Sequence, residues 1–386
     1  MQGKVKFNNH REKPLVLITP LDWGLGHTTR CIPLIRALLH HGCDVTIACT
    51  AKQKKLLALE FQEVSFALLP ETRLSYGNNR LTTLLRLLLQ VPKFLIHIKR
   101  EHRWLRAFLQ HQAVDAIVSD NRFGFYAAGI PCIFMTHQLQ VKTGLGKWAD
   151  QWAQRINYRY INRFTACWVP DYKGEDALAG QLSNPSRLPA VPVHYIGAIS
   201  RFTNCESLTN TGELLIILSG PEPQRSLLEQ QIIAGLPANH TGTIRLVRGL
   251  PQEAAPLPAL PGVEVYNHVA AEALNRLICA AEYVISRSGY TTVMDLLKLH
   301  KKAILIPTPG QAEQEYLASR LHHRRLAFCM TQSAFSLPHA MEAAKQFPYR
   351  AVNYAMEAYE SQVHHFVAAL PLLREARLAG ATGDSH

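Results

Sequence analysis

The segment Ile285–Asp295, with the sequence ISRSGYTTVMD, joins an apolar run to a helical pattern. The apolar residues Tyr283–Ser286 predict a buried strand that ends at this turn. Gly289 allows the backbone to approach a ligand closely. The helix that starts near Thr291 presents free N–H groups and a positive dipole end, which suit a diphosphate. The residues alone predict a phosphate-binding turn, and an ordinary helix capped by Ser288 is the alternative.

Strands and helices alternate on both sides of this turn. In the first half, a strand over Leu15–Thr19 leads into a glycine-bearing loop and a helix, and Asp44–Cys49 is the next strand. A second α/β set begins at Glu213. The proline-containing stretch between Ser183 and Gly212 predicts an interdomain linker. We therefore expect an α/β protein of two doubly wound Rossmann-like domains that face a cleft, where ligands bind beyond the carboxyl ends of the strands.

The charge of the chain is distributed unevenly. The 386 residues carry a formal net charge of +12. Residues 1–196 hold 25 Lys/Arg and 13 Asp/Glu, whereas residues 197–386 hold 16 of each. A one-sided basic surface attracts nucleic acid, an anionic membrane or an acidic substrate, and a basic solvated face is the alternative.

The cysteines and the N-terminus bear on the cellular location. The eight cysteines are scattered and form no C-x-x-C pair, so zinc-ribbon and thioredoxin-like sites have no support. A reducing cytosol fits them best. The first 14 residues contain no apolar core, and no run reaches about 18 uncharged apolar residues, so neither a signal peptide nor a membrane span is expected. The expected location is cytoplasmic, with peripheral contact at the inner face of the membrane as a further hypothesis.

The order of motifs in the second half resembles the family 28 glycosyltransferases of the GT-B fold, the MurG-like enzymes. Their hallmark is an R-S-G-x-x-T-x-x-E/D turn, then a strand, then a proline-containing loop that bears a carboxylate or amide and a Gln. This chain has Arg287–Asp295, the strand Ala303–Ile306 and the loop Pro307–Gln314 in that order. The resemblance covers about Glu213–Leu321 and is strongest from Ser286 onward.

The resemblance implies that this turn holds the diphosphate of a nucleotide sugar. It also implies that Asp295 holds the ribose, that Gln314 lies beside the sugar, and that base contacts come from about His268–Leu274. The turn at Gly220 is looser than the family pattern. With the N-terminal glycines, the expected donor-binding residues are Gly24, Gly26, Gly220, Arg287, Ser288, Gly289, Tyr290, Thr291, Thr292, Asp295, Gln311 and Gln314.

The loop Gly24–His27 looks like the glycine-rich loop of the same family, which ends in His. We expect its backbone to face the donor phosphates across the cleft. His27 is the candidate catalytic base, since the pKa of histidine lies near neutrality. Support of the diphosphate charge and a structural role in a turn are the alternatives. Arg30, one turn along the new helix, is a further candidate for contact with phosphate or acceptor.

Polar residues follow two further strands of the first half. Asp120 ends one strand at the ligand-facing edge and is a second candidate for the catalytic base or an acceptor anchor; an ordinary turn is the alternative. The expected acceptor-binding residues are Arg30, Asn121, Arg122, His137 and Gln138.

The segment 73–106 holds eight Lys/Arg and one acid, Glu101, interleaved with leucines and other apolar residues. A basic amphipathic helix of this kind can lie in a membrane interface. A helix that packs on the sheet with a basic outer face is the alternative.

Together, these features predict a glycosyltransferase that moves a sugar from a nucleoside-diphosphate donor, with UDP favoured, to a hydroxyl acceptor. The resemblance implies inversion without a metal ion, and no other cofactor is expected. A lipid-linked or anionic acceptor is the hypothesis for the basic half. No nucleic-acid partner is expected, because no recognition motif occurs. A nucleotide-sugar 2-epimerase of the same fold and a non-catalytic nucleotide-binding protein remain alternatives.

The expected domains follow. Residues 14–196 form the acceptor-binding domain and residues 197–350 the nucleotide-sugar-binding domain. Residues 351–375 form a C-terminal helix that packs back towards the N-terminal domain, and residues 376–386 form a flexible tail.

Overall fold

Two parallel sheets form the two halves of the molecule. The structure is a computed structural model that describes residues 12–22, 24–71, 80–205, 212–236, 243–250 and 260–383, with side chains described outside 80–91 and 376–383. The N-terminal sheet consists of β1 (Leu15–Pro20), β2 (Asp44–Cys49), β3 (Ser65–Leu68), β4 (Ala116–Asp120), β5 (Cys132–Met135), β6 (Ala166–Val169) and β7 (Val193–Tyr195). The C-terminal sheet consists of β8 (Glu213–Ile217), β9 (Ile244–Val247), β10 (Val263–Tyr266), β11 (Ala281–Ser286), β12 (Lys302–Leu305) and β13 (Phe328–Cys329).

The helices cover both faces of the sheets. In the N-terminal half they are α1 (Leu25–His40), α2 (Ala51–Leu57), α3 (Arg80–His111) and α4 (Lys147–Ile161). In the C-terminal half they are α5 (Gln224–Ala234), α6 (Ala271–Ala280), α7 (Tyr290–Lys298), α8 (Ala312–His323), α9 (Leu337–Gln346) and α10 (Ala358–Gly383).

The strand order confirms the predicted doubly wound architecture. The sheets have the orders β3-β2-β1-β4-β5-β6-β7 and β10-β9-β8-β11-β12-β13, and every ladder between described strands is parallel. The order reverses between β1 and β4 in one sheet, and between β8 and β11 in the other. Ligands of such sheets bind where the order reverses, beyond the carboxyl ends of the strands. The segments that follow these four strands therefore frame the site.

Burial on both faces explains the apolar sequence of the strands. In β1, Val16 and Ile18 belong to one core layer, whereas Leu15 and Leu17 belong to the layer on the opposite face. Successive side chains of a strand point to opposite faces, so a strand covered by helices on both sides is apolar throughout. The C-terminal sheet also has a buried layer on each face.

Helix α10 packs on the N-terminal domain although it follows the C-terminal one. Tyr359, Val363 and Leu370 are buried in the same layer as Val16, and Phe366 meets the ring of Trp168 edge-on at 5.2 Å. The helix begins at Ala358 and runs to Gly383. The stretch 376–383, expected as part of a flexible tail, is therefore helical.

Two features differ from or add to the sequence expectations. Cys205 and Cys279 form a disulfide, which joins the interdomain segment to the end of α6; the scattered cysteines gave no signal for this pair. Helix α3 covers most of the segment 73–106, whose first residues lie outside the described ones. Its described part buries Ile98 and Leu105 against the domain, while Leu95 and Ile96 remain exposed. Across the described residues, no helix is both long and apolar enough to span a bilayer.

Candidate active site

The reversal point of the N-terminal sheet brings His27, Arg30 and Asp120 together. Asp120 is the last residue of β4, and the segment after the neighbouring β1 leads into α1. We expected a loop over Gly24–His27, but α1 already begins at Leu25, with Gly24 as its N-cap at φ 82°. Because residues three apart lie on one face of a helix, His27 and Arg30 both point towards Asp120.

Asp120 is fully buried and is fixed by charged hydrogen bonds. Arg30 donates to both carboxylate oxygens, with Nε at 2.8 Å from Oδ2. His27 Nδ1 lies 3.1 Å from Oδ2. Burial alone would raise the pKa of Asp120, but the charges and hydrogen bonds of Arg30 and His27 outweigh it and hold the pKa at about 2. Asp120 is therefore an ionised anchor at neutral pH and has no capacity to act as a base there.

His27 has the geometry of a general base. Desolvation and the nearby Arg30 charge lower its pKa from 6.5, against the opposing effect of Asp120, so the ring is neutral at pH 7. An ionised carboxylate only accepts hydrogen bonds, so Nδ1–H of His27 donates to Asp120 and the lone pair is on Nε2. The side chain is 19% exposed, whereas that of Asp120 is fully buried. His27 can thus take a proton from a bound hydroxyl group.

His137 extends this network across the cleft. Arg30 NH1 donates to His137 Nδ1 at 3.1 Å, because a guanidinium group has no acceptor. His137 Nε2–H then donates to Glu313 Oε1 at 2.7 Å, and Glu313 belongs to the C-terminal helix α8. The His137 ring also stacks on Tyr290, with centroids 4.2 Å apart and planes 9° apart. The expected acceptor residue His137 is therefore a link between the two domains.

The first turns of α1 and α7 meet in the cleft. Thr291 Oγ1 donates to the carbonyl oxygen of Gly26 at 3.2 Å. A side chain on Gly26 would place its Cβ 3.2 Å from Thr291 Oγ1, which is tighter than ordinary contact. Helix α7 begins after Gly289 without a side-chain cap, and α1 begins after Gly24 in the same way. Two sets of helix N–H groups and two positive dipole ends are thus close together.

Several predicted donor residues of the C-terminal domain hold the loops around this point. Ser288 does not cap α7; its hydroxyl donates to the carbonyl of Gln314 at 2.9 Å. The Gln314 amide oxygen accepts from Thr308 N at 2.9 Å, and its amide nitrogen donates to Gln311. Gly220, at φ +102°, lies beside Thr308, whose buried hydroxyl has no hydrogen-bond partner among the described residues. These turns form the cleft edge of the C-terminal sheet.

Arg287 and Tyr290 make structural contacts with their side chains, and their contact with the donor stays a prediction. Arg287 is buried, and its guanidinium group donates to the carbonyls of Ile306 and Gln224 and to the side chain of Gln332. Burial lowers its pKa to about 10. The Tyr290 hydroxyl donates across the domain boundary to Pro170 O at 2.8 Å. Arg287 positions the loops, and Tyr290 joins the domains.

Asp295 lies one turn inside α7, next to the interdomain segment. One carboxylate oxygen accepts from the hydroxyl of Ser200 at 2.5 Å. Burial raises the pKa of Asp295 to about 6, although Arg201 and Ser200 favour its charged form. The predicted ribose residue is therefore half-ionised near pH 6 and lies near the half-buried guanidinium group of Arg201. Its contact with ribose remains a prediction.

Of the acceptor residues after β4, Arg122 is structural. It is 1% exposed, its Nε donates to Pro20 O at 2.8 Å, and it pairs with Glu101 at 2.6 Å. The guanidinium group thus ties the end of β1 to α3, and the contact of Arg122 with an acceptor stays a prediction. Asn121 adopts φ 57° and turns the chain away from the strand. Gln138 follows His137, and its carbonyl accepts from Asn157 of α4 at 3.1 Å.

The sequence prediction missed Glu313 and Ser200 as parts of this network. Glu313 precedes Gln314 in the loop that carries the family pattern, so its position gave a usable signal. Ser200 lies in a linker without any motif. Across the described residues, no group of three His, Cys, Asp or Glu is arranged to hold a metal ion.

Comparisons with known proteins support the predicted class of enzyme and the predicted fold. Residues 263–365 match the model of the glycosyltransferase family 28 C-terminal domain. The C-terminal domain thus resembles that of the family 28 glycosyltransferases. This match confirms the predicted class, a glycosyltransferase. A comparison with curated protein sequences finds no match.

Similar solved structures span nearly the whole chain. The glycotransferase of kitacinnamycin is 16% identical, with a TM-score of 0.60 over 95% of this chain and 96% of that one. MurG of Acinetobacter baumannii is 15% identical, with a TM-score of 0.52 over 93% and 99%. LpCGTa, solved in complex with UDP, is 14% identical, with a TM-score of 0.59 over 93% and 99%. At these identities the structures show the fold, which is GT-B as predicted.

Proposed function

We propose that the protein transfers a sugar from a nucleoside-diphosphate donor, with a UDP-sugar favoured, to a hydroxyl acceptor, by inversion and without a metal ion. The observation that carries this proposal is the meeting of two helix N-termini at Gly26 and Thr291, beside the His27–Asp120 pair. An anion site and a neutral base lie together in the cleft of a GT-B fold.

The donor diphosphate is proposed to bind between the first turns of α1 and α7. Negative charge grows on the diphosphate as it leaves, and helix N–H groups stabilise such charge where it develops. A Cβ built on Gly289 would meet its nearest described neighbour only at 4.0 Å, so the backbone there is open to a ligand. The UDP complex of the similar LpCGTa structure supports a uridine nucleotide.

The acceptor hydroxyl is proposed to lose its proton to Nε2 of His27. Asp120 holds the imidazole through Nδ1–H and stabilises the cation that forms, while Arg30 keeps Asp120 ionised. A single attack on the face opposite the leaving diphosphate inverts the anomeric carbon. This differs from the expectation that Asp120 is itself a base.

An anionic or lipid-linked acceptor is part of the proposal, because the excess positive charge lies in the N-terminal half. Contact of the segment 73–106 with an anionic membrane was the sequence hypothesis. The described part of α3 supports it through the exposed Leu95 and Ile96 and through the exposed basic residues Lys93, Lys99 and Arg100.

A panel of nucleotides and nucleotide sugars tests the donor assignment. UDP should raise the melting temperature, since a ligand that binds only the folded state stabilises it by mass action. Transfer from the donor that binds should continue in EDTA. His27→Ala should lower kcat by roughly 10²-fold or more with little change in the UDP-induced shift. An equal kcat in this variant would remove His27 from the mechanism.

Incubation with the donor alone separates transfer from epimerisation. Without an acceptor, the sugar should keep its configuration and be hydrolysed at most slowly. Conversion of the donor to an epimer would contradict the proposal. The titratable groups of the cleft favour transfer, because Asp120 is paired with Arg30 and Glu313 with His137.

A further inference from the structure

Helix α4 presents an apolar and basic face to solvent. Trp148 is 80% exposed, Trp152 is 54% exposed, and Leu145, just before the helix, is 49% exposed. Large aromatic side chains seldom remain so exposed without a partner, and a cluster of them marks an interaction surface. We name this cluster, Leu145, Trp148 and Trp152, the tryptophan face.

Basic residues continue the tryptophan face along the same side of the helix. Trp152, Arg155 and Arg159 lie four, seven and eleven residues after Trp148, so the four side chains share one stripe of the helix. Both arginines are exposed. Lys147 is exposed beside them. The single acid of α4, Asp150, is only partly exposed and accepts hydrogen bonds from the backbone and hydroxyl of Thr143.

We propose that the tryptophan face docks the protein on an anionic membrane surface. Tryptophan prefers the region between headgroups and acyl chains, because its ring is apolar and its N–H remains hydrogen-bonded there. Lys147, Arg155 and Arg159 then contact anionic headgroups. The charge complementarity selects a lipid surface over a neutral protein groove, and the basic excess of the whole N-terminal half acts in the same direction.

The helix that carries this face packs against the segment that follows His137 of the cleft. Asn157, on the inner side of α4, donates to the carbonyl of Gln138, the residue after His137. The loop that joins His137 to α4 also carries Lys142, whose ammonium group lies 5.7 Å from the ring of Tyr316 in the C-terminal domain. Docking by α4 would therefore hold the cleft next to a hydroxyl acceptor embedded in the membrane.

The docking surface is distinct from the segment 73–106. Docking depends on exposed apolar and basic side chains and not on sugar transfer, so the test uses the full chain without a donor. Wild-type protein should float with vesicles of phosphatidylcholine and phosphatidylglycerol in equal parts and stay unbound with phosphatidylcholine alone. Binding should weaken in high salt, and tryptophan emission should shift to the blue.

Two matched sets of variants locate the surface. Trp148→Ala with Trp152→Ala should weaken vesicle binding by roughly tenfold or more, and Arg155→Gln with Arg159→Gln should weaken it and remove most of its salt dependence. All four side chains are exposed, so circular dichroism and the melting temperature should stay unchanged. Leu59→Ala is the control, because Leu59 is also 80% exposed but lies after α2.

The opposite outcomes overturn the proposal. Unchanged vesicle binding in both α4 variants would do so, and so would the absence of binding by the wild-type protein. Loss of binding in Leu95→Ala with Ile96→Ala, while the α4 variants bind normally, would assign the contact to α3. Binding of equal strength to neutral vesicles would exclude an anionic surface.

Discussion

Asp120 and His27 share one hydrogen bond but have different roles in the proposed reaction. The pKa of Asp120 is held at about 2 by Arg30 and His27, so its carboxylate orients and stabilises. The pKa of His27 is lowered from 6.5 by desolvation, so its ring is free to accept a proton at neutral pH. Two measurements separate these roles.

The pH dependence of transfer should report on His27. Because its pKa in the folded protein lies below 6.5, kcat should be constant near neutrality and fall only as the pH drops below that value. Asp295, with a pKa of about 6, titrates in the same range but is expected to act on donor binding. Asp295→Asn should therefore change the pH dependence of the donor KM and leave the acid limb of kcat in place. An acid limb of kcat that disappears in this variant would assign the limb to Asp295.

Asp120→Asn should destabilise the fold as well as slow the reaction. The variant leaves the guanidinium group of Arg30, 1% exposed, without its carboxylate. Removal of one partner of a buried ion pair costs about 3 kcal/mol or more of the free energy of unfolding. The pKa of Asp120 is lower in the folded state, so its contribution is complete above pH 3.8 and is lost as the pH falls towards 2.

Urea unfolding at several pH values measures this effect. The difference between wild type and Asp120→Asn should be largest at neutral pH and should shrink towards pH 2. His27→Ala is the matched control, since that side chain is partly exposed and its loss should leave the midpoint nearly unchanged. Equal stability of the wild type and Asp120→Asn at pH 7 would contradict the anchoring role.

The facing N-termini of α1 and α7 leave little space for a side chain at Gly26. A methyl group there would lie 3.2 Å from Thr291 Oγ1, so Gly26→Ala should push the two helices apart. The donor KM should rise several-fold, because fewer N–H groups reach the diphosphate. The melting temperature should change little, since alanine favours a helix.

A double variant tests whether this effect acts through Thr291. Thr291→Ala removes the hydroxyl group that the new methyl would meet, so Gly26→Ala with Thr291→Ala should lose less affinity than the sum of the single variants. Steady-state kinetics gives the donor KM of each variant, and UDP titration gives its affinity for the nucleotide. Strict additivity would show that the two turns do not contact each other in solution.

The elements were more predictable from the sequence than the contacts of their side chains. The strand, turn and helix at Ile285–Asp295 follow from local pattern, and so does the placement of Asp120 at a strand end. The start of α1 was predicted too late, because glycines in Gly24–His27 favour a loop when α7 is not considered. Arg287 and Arg122 were expected to contact ligands. In the structure their partners are backbone carbonyls and the side chains of Gln332 and Glu101, and sequence spacing carries no information about those.

The two domains are joined by polar contacts in the cleft and by a second set at residues 175–181, where the guanidinium groups of Arg320 and Arg324 donate to the carbonyl of Ala177. His137 contacts Glu313 at 2.7 Å, Tyr290 donates to Pro170, and Thr291 donates to Gly26. The same residues line the proposed donor site, so closure of the cleft and assembly of the site are coupled. Interdomain surfaces of this type generally allow relative motion of the domains.

Glu313→Ala should therefore open the molecule. Glu313 is 33% exposed and its loss leaves His137 Nε2–H without a partner across the cleft. The radius of gyration from small-angle scattering should increase, and the donor KM should rise. Glu313→Gln keeps an oxygen that accepts from His137, so its radius of gyration should stay close to that of the wild type. Direct contact of Glu313 with the sugar would raise KM in both variants without a change in size. An unchanged radius of gyration in Glu313→Ala would show that the His137–Glu313 bond does not hold the domains together.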